Sequence, residues 1–155
     1  MEKYRPNKSN KNIDLVGIGN AIVDIIIKVD DKFLADNKLI KNSMNLIGLE
    51  QSQRLLEGCQ IIKQVSGGSS ANTVVALTKL GHNVEFIGRV KNDNFGSFFS
   101  NDIKDSGVLF NPKYLQSNAS SGHSIILVTP DAQRTMCTYL GASIEFEPND
   151  IDYES

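Results

Sequence analysis

The chain has 155 residues, 40% of them hydrophobic, and a net charge of −2 with both signs interspersed. That length and composition fit one globular domain with a real core and exclude the strongly basic surface of a nucleic-acid or membrane-surface binder. No uninterrupted apolar run approaches the roughly 20 residues of a membrane-spanning helix, and Cys59 and Cys137 make neither a metal spacing nor a disulfide framework, so a reduced, cytoplasmic chain is expected.

Residues 1–12, "MEKYRPNKSNKN", carry four basic residues with no apolar stretch behind them. They read as a disordered polar lead rather than a signal peptide. The Asn-x-Ser triplets at Asn7 and Asn118 read as chance in that setting. "NIDLVGIGN" (12–20) is a short strand ending in Gly-x-Gly, and "AIVDIIIKV" (21–29) a β-branched strand. "DDKFLADNKL" (30–39) is helical with Asp30 or Asp31 as cap, "SMNLI" (43–47) a strand, and 48–62 helical with Leu49, Leu55 and Leu56 on one side. Residues 63–90 form strand, Gly-Gly turn, helix and strand, one βαβ unit. Ala71, Val74, Val75 and Thr78 make its helical stripe, and Gly81 its stop. A further helix over 92–108 is capped by Asp93 and ended by Gly107. "HSIILVTP" (123–130) and "QRTMCTYLG" (133–141), joined by "DA", form a hairpin. "EPNDIDYES" (147–155) starts like a helix and then stops. Alternating βα units with some antiparallel strands predict an α/β fold with a small β excursion.

Two features suggest chemistry. Asp24 is a charge set among the apolar residues of 21–27, and an unpaired carboxylate there is costly unless it meets a partner. Its alternative is an Asp at a strand edge, open to water. In "VSGGSSANT", Gly67 and Gly68 stand between a strand and a helix, with Asn72 about one turn into that helix. The carboxyl end of a strand is where doubly wound sheets bind ligands, and an amide suits a sugar hydroxyl. A tight turn beside a surface Asn explains the same residues. "GIGNAI" lacks the third Gly of a dinucleotide fingerprint, and no Gly-Lys-Ser/Thr phosphate loop exists. Arg134 at the hairpin reads as a solvated charge, Asp93 as the helix cap, and His82 and His123 have no partner at metal or triad spacing.

"GGSSANTVVALTKLG" followed by "FIGRVKNDNFG" resembles the N-terminal half of the ribokinase-like (phosphofructokinase-B type) carbohydrate and nucleoside kinases. "GIGNAIVDI" is similar to that family's opening strand, and "NKLIKNSMNLI" and "VTPDAQRTMCTYLGAS" resemble bacterial adenosine-kinase-like members. The resemblance runs from about residue 13 to the end. Ser70 and Val74 replace smaller residues of the pattern, and Lys91 stands where a Gly is usual, in conflict with a turn at positive φ.

The resemblance implies a doubly wound ribokinase-like sheet over 13–155, with a small β lid built from roughly 25–29, 43–47, 124–129 and 134–140. It places Asp24 against sugar hydroxyls with Asn20 beside it, puts Gly67, Gly68 and Asn72 at the same acceptor site, and lets Leu46 touch the ligand from the lid. It implies ATP and Mg²⁺, an acceptor such as adenosine, ribose or a related sugar, and a homodimer through the β lid. The family's Asp-Thr-x-Gly-Ala-Gly-Asp segment, which carries the anion hole and catalytic Asp, has no counterpart here. No catalytic residue is therefore assigned. The chain is expected to supply the acceptor-binding half of a kinase, pairing with a separately encoded C-terminal half. The alternative is a truncated or split-frame fragment that only binds a sugar or nucleoside, or only pairs.

Overall fold

A computed structural model describes residues 12–151; all but Asn12 of the polar lead, and the last four residues, lie outside the described residues. Two sheets carry the fold. β1 (Leu15–Ile18) pairs in parallel with β5 (Val84–Ile87). The larger sheet has five strands, β2 (Ile22–Lys28), β3 (Met44–Leu46), β4 (Ile61–Gly67), β6 (Gly122–Val128) and β7 (Arg134–Tyr139), in the order β3-β7-β6-β2-β4. Helices α1 (Asp31–Asp36), α2 (Leu49–Leu56), α3 (Ser69–Lys79) and α4 (Asn94–Asp105) interleave with the strands.

Strand alternation explains the core. On one face of the five-stranded sheet, Val23, Ile25, Ile27, Ile125, Leu127 and Cys137 are buried and form one cluster with Leu55, Phe99 and Ile103 of the helices. His123 belongs to this face. Its Nδ1 meets the Ser121 carbonyl at 3.1 Å and its Nε2 meets the Ser52 hydroxyl at 2.5 Å, while the Phe95 ring lies 4.5 Å away, centroid to centroid. Burial holds its pKa below the usual histidine value, so the ring is neutral, with Nδ1–H donating to Ser121 and Nε2 accepting from Ser52. The opposite face carries Asp24, Ile26, Ser124, Ile126 and Thr138 and exposes Met44, Leu46 and Met136.

Local sequence expectations largely match. Asp30, not Asp31, caps α1 by accepting from the Phe33 N–H at 2.7 Å. Asp93 caps α4 through Gly96 N–H and also accepts from Ser121 N–H, both at 2.8 Å. The β6–β7 hairpin forms as expected, with Ala132 at φ 63° in its turn. Residues 147–151 give only a 3-10 turn at Pro148–Asp150, held by a reciprocal Glu147–Asp150 cap. The βαβ expectation for 63–90 is corrected: β4 and β5 lie in different sheets, β4 antiparallel to β2 and β5 parallel to β1. Strand partners are set by long-range burial, which a local pattern does not encode. Lys91 is also clear of the expected conflict, since it is absent from the described non-glycine residues at positive φ. Its backbone N–H donates to the Ser121 hydroxyl at 2.9 Å.

α3 packs tightly on β1. A Cβ at Gly17 would lie 2.3 Å from Val74 Cγ1, and one at Gly19 would lie 2.7 Å from Ser70 Cβ. The larger residues at 70 and 74 are thus accommodated by glycines on the facing strand. Gly17→Ala should overpack this contact, costing about 1–3 kcal/mol and lowering Tm by roughly 3–10 °C. Val74→Ala in the same chain should recover part of the loss, because the two sites share one space. A thermal melt of the two variants checks this; an unchanged Tm for Gly17→Ala would show that α3 is free to shift.

Candidate functional site

Asp24 sits at the middle of β2, between Val65 of β4 and Ser124 of β6. Its carboxylate leans diagonally across to the end of β4. An ideal Cβ on Gly67 would stand 2.4 Å from Asp24 Oδ2 and 2.7 Å from Oδ1. The carboxylate therefore fills the space that any side chain at 67 would need. No described residue donates a hydrogen bond to it or pairs with its charge. It is half-buried, and that burial raises its pKa above the ordinary carboxylate value.

Gly68 follows at φ +97°, and its Cβ would stand 2.6 Å from the Asn20 carbonyl oxygen. α3 begins at the next residue, so a helix N-terminus with unpaired N–H groups opens two residues from the Gly67–Asp24 contact. Asn72 lies in the first turn; its backbone N–H donates to the Gly68 carbonyl at 2.9 Å, and its exposed side chain stays open to solvent. Asn20, in the β1–β2 connection, is likewise exposed. The structure thus gathers Asn20, Asp24, Gly67, Gly68 and Asn72 around one turn. The two glycines each face the chain's own atoms: Asp24 against one, Asn20 against the other.

Leu46 is not brought to this turn. It pairs with Thr138, which pairs with Ser124, which pairs with Asp24. The four share one row and one face, and three strand spacings of about 4.8 Å separate Leu46 from Asp24 by roughly 14 Å. Only a ligand lying across the row could reach both. The row itself was missed by sequence reasoning. Ser124 and Thr138 share a hydroxyl–hydroxyl bond of 2.8 Å beside Asp24, and their polarity within the β-branched runs was its one available sign. Arg134 lies on the same face two rows away, at the hairpin. His82 stands 3.8 Å from Asp14 on the exposed surface, and His123 lies on the buried face.

A half-buried carboxylate with no internal donor, an adjoining helix N-terminus and two free amide side chains can accept from, and donate to, a small polyhydroxyl ligand. Residues 34–154 match the model of the pfkB family of carbohydrate kinases. A 5-dehydro-2-deoxygluconokinase of Clostridium botulinum is 33% identical over 107 residues, 65% of this chain and 31% of that protein. The crystal structure of an adenosine kinase from Sinorhizobium meliloti superposes with a TM-score of 0.81 at 41% identity, covering 90% of this chain and 43% of that one. A probable sugar kinase from Rhizobium etli gives a TM-score of 0.80 at 38% identity, covering 90% and 42%. The chain spans less than half the length of these relatives.

The electrostatics make a stability prediction. Because the folded-state pKa of Asp24 is raised, ionised Asp24 destabilises the fold at neutral pH, and that cost disappears as pH falls through the raised value towards 3.8. Asp24→Asn keeps the shape and removes the charge. Its Tm at pH 7 should exceed the parent's by about 2–4 °C, with the gap closing near pH 4. A parent more stable than the variant at pH 7 would mean that Asp24 has an internal partner.

Proposed function

The chain belongs to the pfkB family of carbohydrate kinases, and from that premise we propose that it supplies the acceptor-binding part of an ATP-dependent kinase. The acceptor is the hydroxymethyl group of adenosine, ribose or a related sugar. The observation that carries this reading is Asp24, a carboxylate held half-buried against Gly67 with no donor from the described residues. Two adjacent hydroxyls would supply the missing donors, through charge-assisted bonds about twice as strong as neutral ones. Asn20 and Asn72 add amide groups for the remaining ring oxygens and hydroxyls.

In this account the residues bind and orient the acceptor. A hydroxymethyl group held in line gains effective concentration at the phosphoryl donor. No proton is routed through Asp24, whose oxygens are committed to the hydroxyls. The described residues hold no group of three or more His, Cys, Asp or Glu able to ligate a metal, and no step here runs through Mg²⁺. Mg²⁺ and the ATP phosphates are assigned to the C-terminal part of the kinase, which this sequence does not span.

The exposed Met44, Leu46 and Met136 of the open sheet face, which serves as the β lid, supply the apolar surface for a homodimer. The setting proposed is cytoplasmic; no helix of the described residues is long and apolar enough to cross a membrane. A second reading, a sugar- or nucleoside-binding or pairing module without turnover, rests on the lack of a Gly-Ala-Gly-Asp segment in this sequence.

Coupled ADP release separates them. The lone chain should transfer no phosphate from ATP to adenosine, and adding the C-terminal part should restore turnover. In that assembled enzyme, Asp24→Ala should raise the acceptor KM and lower kcat, a combined loss of about 2–4 kcal/mol in kcat/KM, while the KM for ATP stays within about twofold. Unchanged acceptor kinetics would remove Asp24 from the site, and failure to restore turnover would favour the binding module.

A further inference from the structure

β4 forms an edge of the five-stranded sheet, so only its β2 side is paired. At its carboxyl end this open edge is closed by a side chain. Asp102 Oδ2 accepts a hydrogen bond from the Ser66 backbone N–H at 2.7 Å, across 36 residues of sequence. Asp102 lies in the last turn of α4, where a negative charge opposes the helix dipole and Asp has poor helix propensity. Neither local term favours an acid there; the bond to β4 does. The helix that presents it is fixed by the core, since Phe99, one turn earlier, and Ile103, the next residue, are fully buried.

Ser66 immediately precedes Gly67, whose Cα backs the Asp24 carboxylate, and Gly68, which backs the Asn20 carbonyl. We propose that Asp102 is a positioning residue for the acceptor site: it ties the end of β4 to α4 and so holds the Gly67–Gly68 turn against Asp24 and Asn20. It touches no ligand itself. This rests on the reading of Asp24 as the acceptor-binding group. Without the tie, the last residues of an edge strand fray, the turn moves off Asp24, and water enters beside the carboxylate.

NMR on the full chain tests this without requiring turnover. In Asp102→Ala, the Ser66 amide should exchange at least tenfold faster, while amides in the β6–β7 hairpin keep their protection. The Asp24 carboxyl should titrate closer to 3.8 as it hydrates. Asp102→Asn, whose amide oxygen still accepts from Ser66, should leave both readouts near the parent, which separates the hydrogen bond from the loss of charge. Should Asp102→Ala fail to fold, the parent chain alone decides: the Ser66 amide, on the open edge of β4, should be protected from exchange although no strand pairs with it there. The proposal is overturned by unchanged Ser66 exchange, by an unmoved Asp24 titration, by protection lost equally across β6 and β7, or by a parent Ser66 amide that exchanges as freely as an unpaired edge amide. Adenosine binding that is insensitive to Asp24→Ala, with the Asp102 effects present, would instead overturn the reading of the site and leave the tie standing.

Discussion

Holding a carboxylate half inside a β-sheet with no cation beside it among the described residues is the constraint on which this structure turns. Asp24 cannot retreat, because β2 is fixed on both sides, antiparallel to β4 and parallel to β6. It cannot be shared with a side chain at 67, because its own oxygens occupy that space. Burial then makes its charged form expensive. A fold that keeps such a group spends stability on it, which is common where a ligand is meant to complete the set of partners.

The surrounding elements serve that placement. α3 sits close to β1 because Gly17 and Gly19 leave room for Val74 and Ser70, and this brings the helix start down beside the β4 turn. The buried Ser52–His123–Ser121 chain and the Asp93 cap, which shares Ser121 with Lys91, fix the start of β6 two residues from Ser124. On the buried face Ser52, His123 and Ser121 satisfy one another within the fold. On the open face Asp24 is left unsatisfied, and the exposed methionines and Leu46 leave the row beyond it uncovered. The two faces of one sheet thus differ: one is packed and hydrogen-bonded within the fold, and the other is left open.

Much of this was legible in the sequence, and for physical reasons. An isolated charge in a β-branched run, a Gly-Gly pair before a helix and Asp residues at helix starts are local features, and each fell where its local chemistry put it. What was hidden depended on partners far along the chain. The separation of β4 and β5 into different sheets follows from pairing with β2 and β1, and no periodicity within 63–90 reports it. Ser124 and Thr138 became neighbours of Asp24 only through strand register. The bond from Ser66 to Asp102 joins residues 36 apart, and nothing local marks either one for it. The reason for Gly67 was also invisible: a Gly-Gly pair before a helix does not report that Asp24, 43 positions earlier, fills the space beside it.

The central claim is that the Asp24 carboxylate is completed by hydroxyls of the acceptor. It is tested most directly by following the titration of the Asp24 side-chain carboxyl carbon by NMR, with and without saturating adenosine, and with 2′,3′-dideoxyadenosine as the comparison. Hydroxyls donating to the ionised form stabilise it, so adenosine should move the raised midpoint down by about one unit or more, while the dideoxy compound, with no ring hydroxyls to donate, leaves it in place. A midpoint that ignores adenosine, or shifts equally with both compounds, would contradict the account.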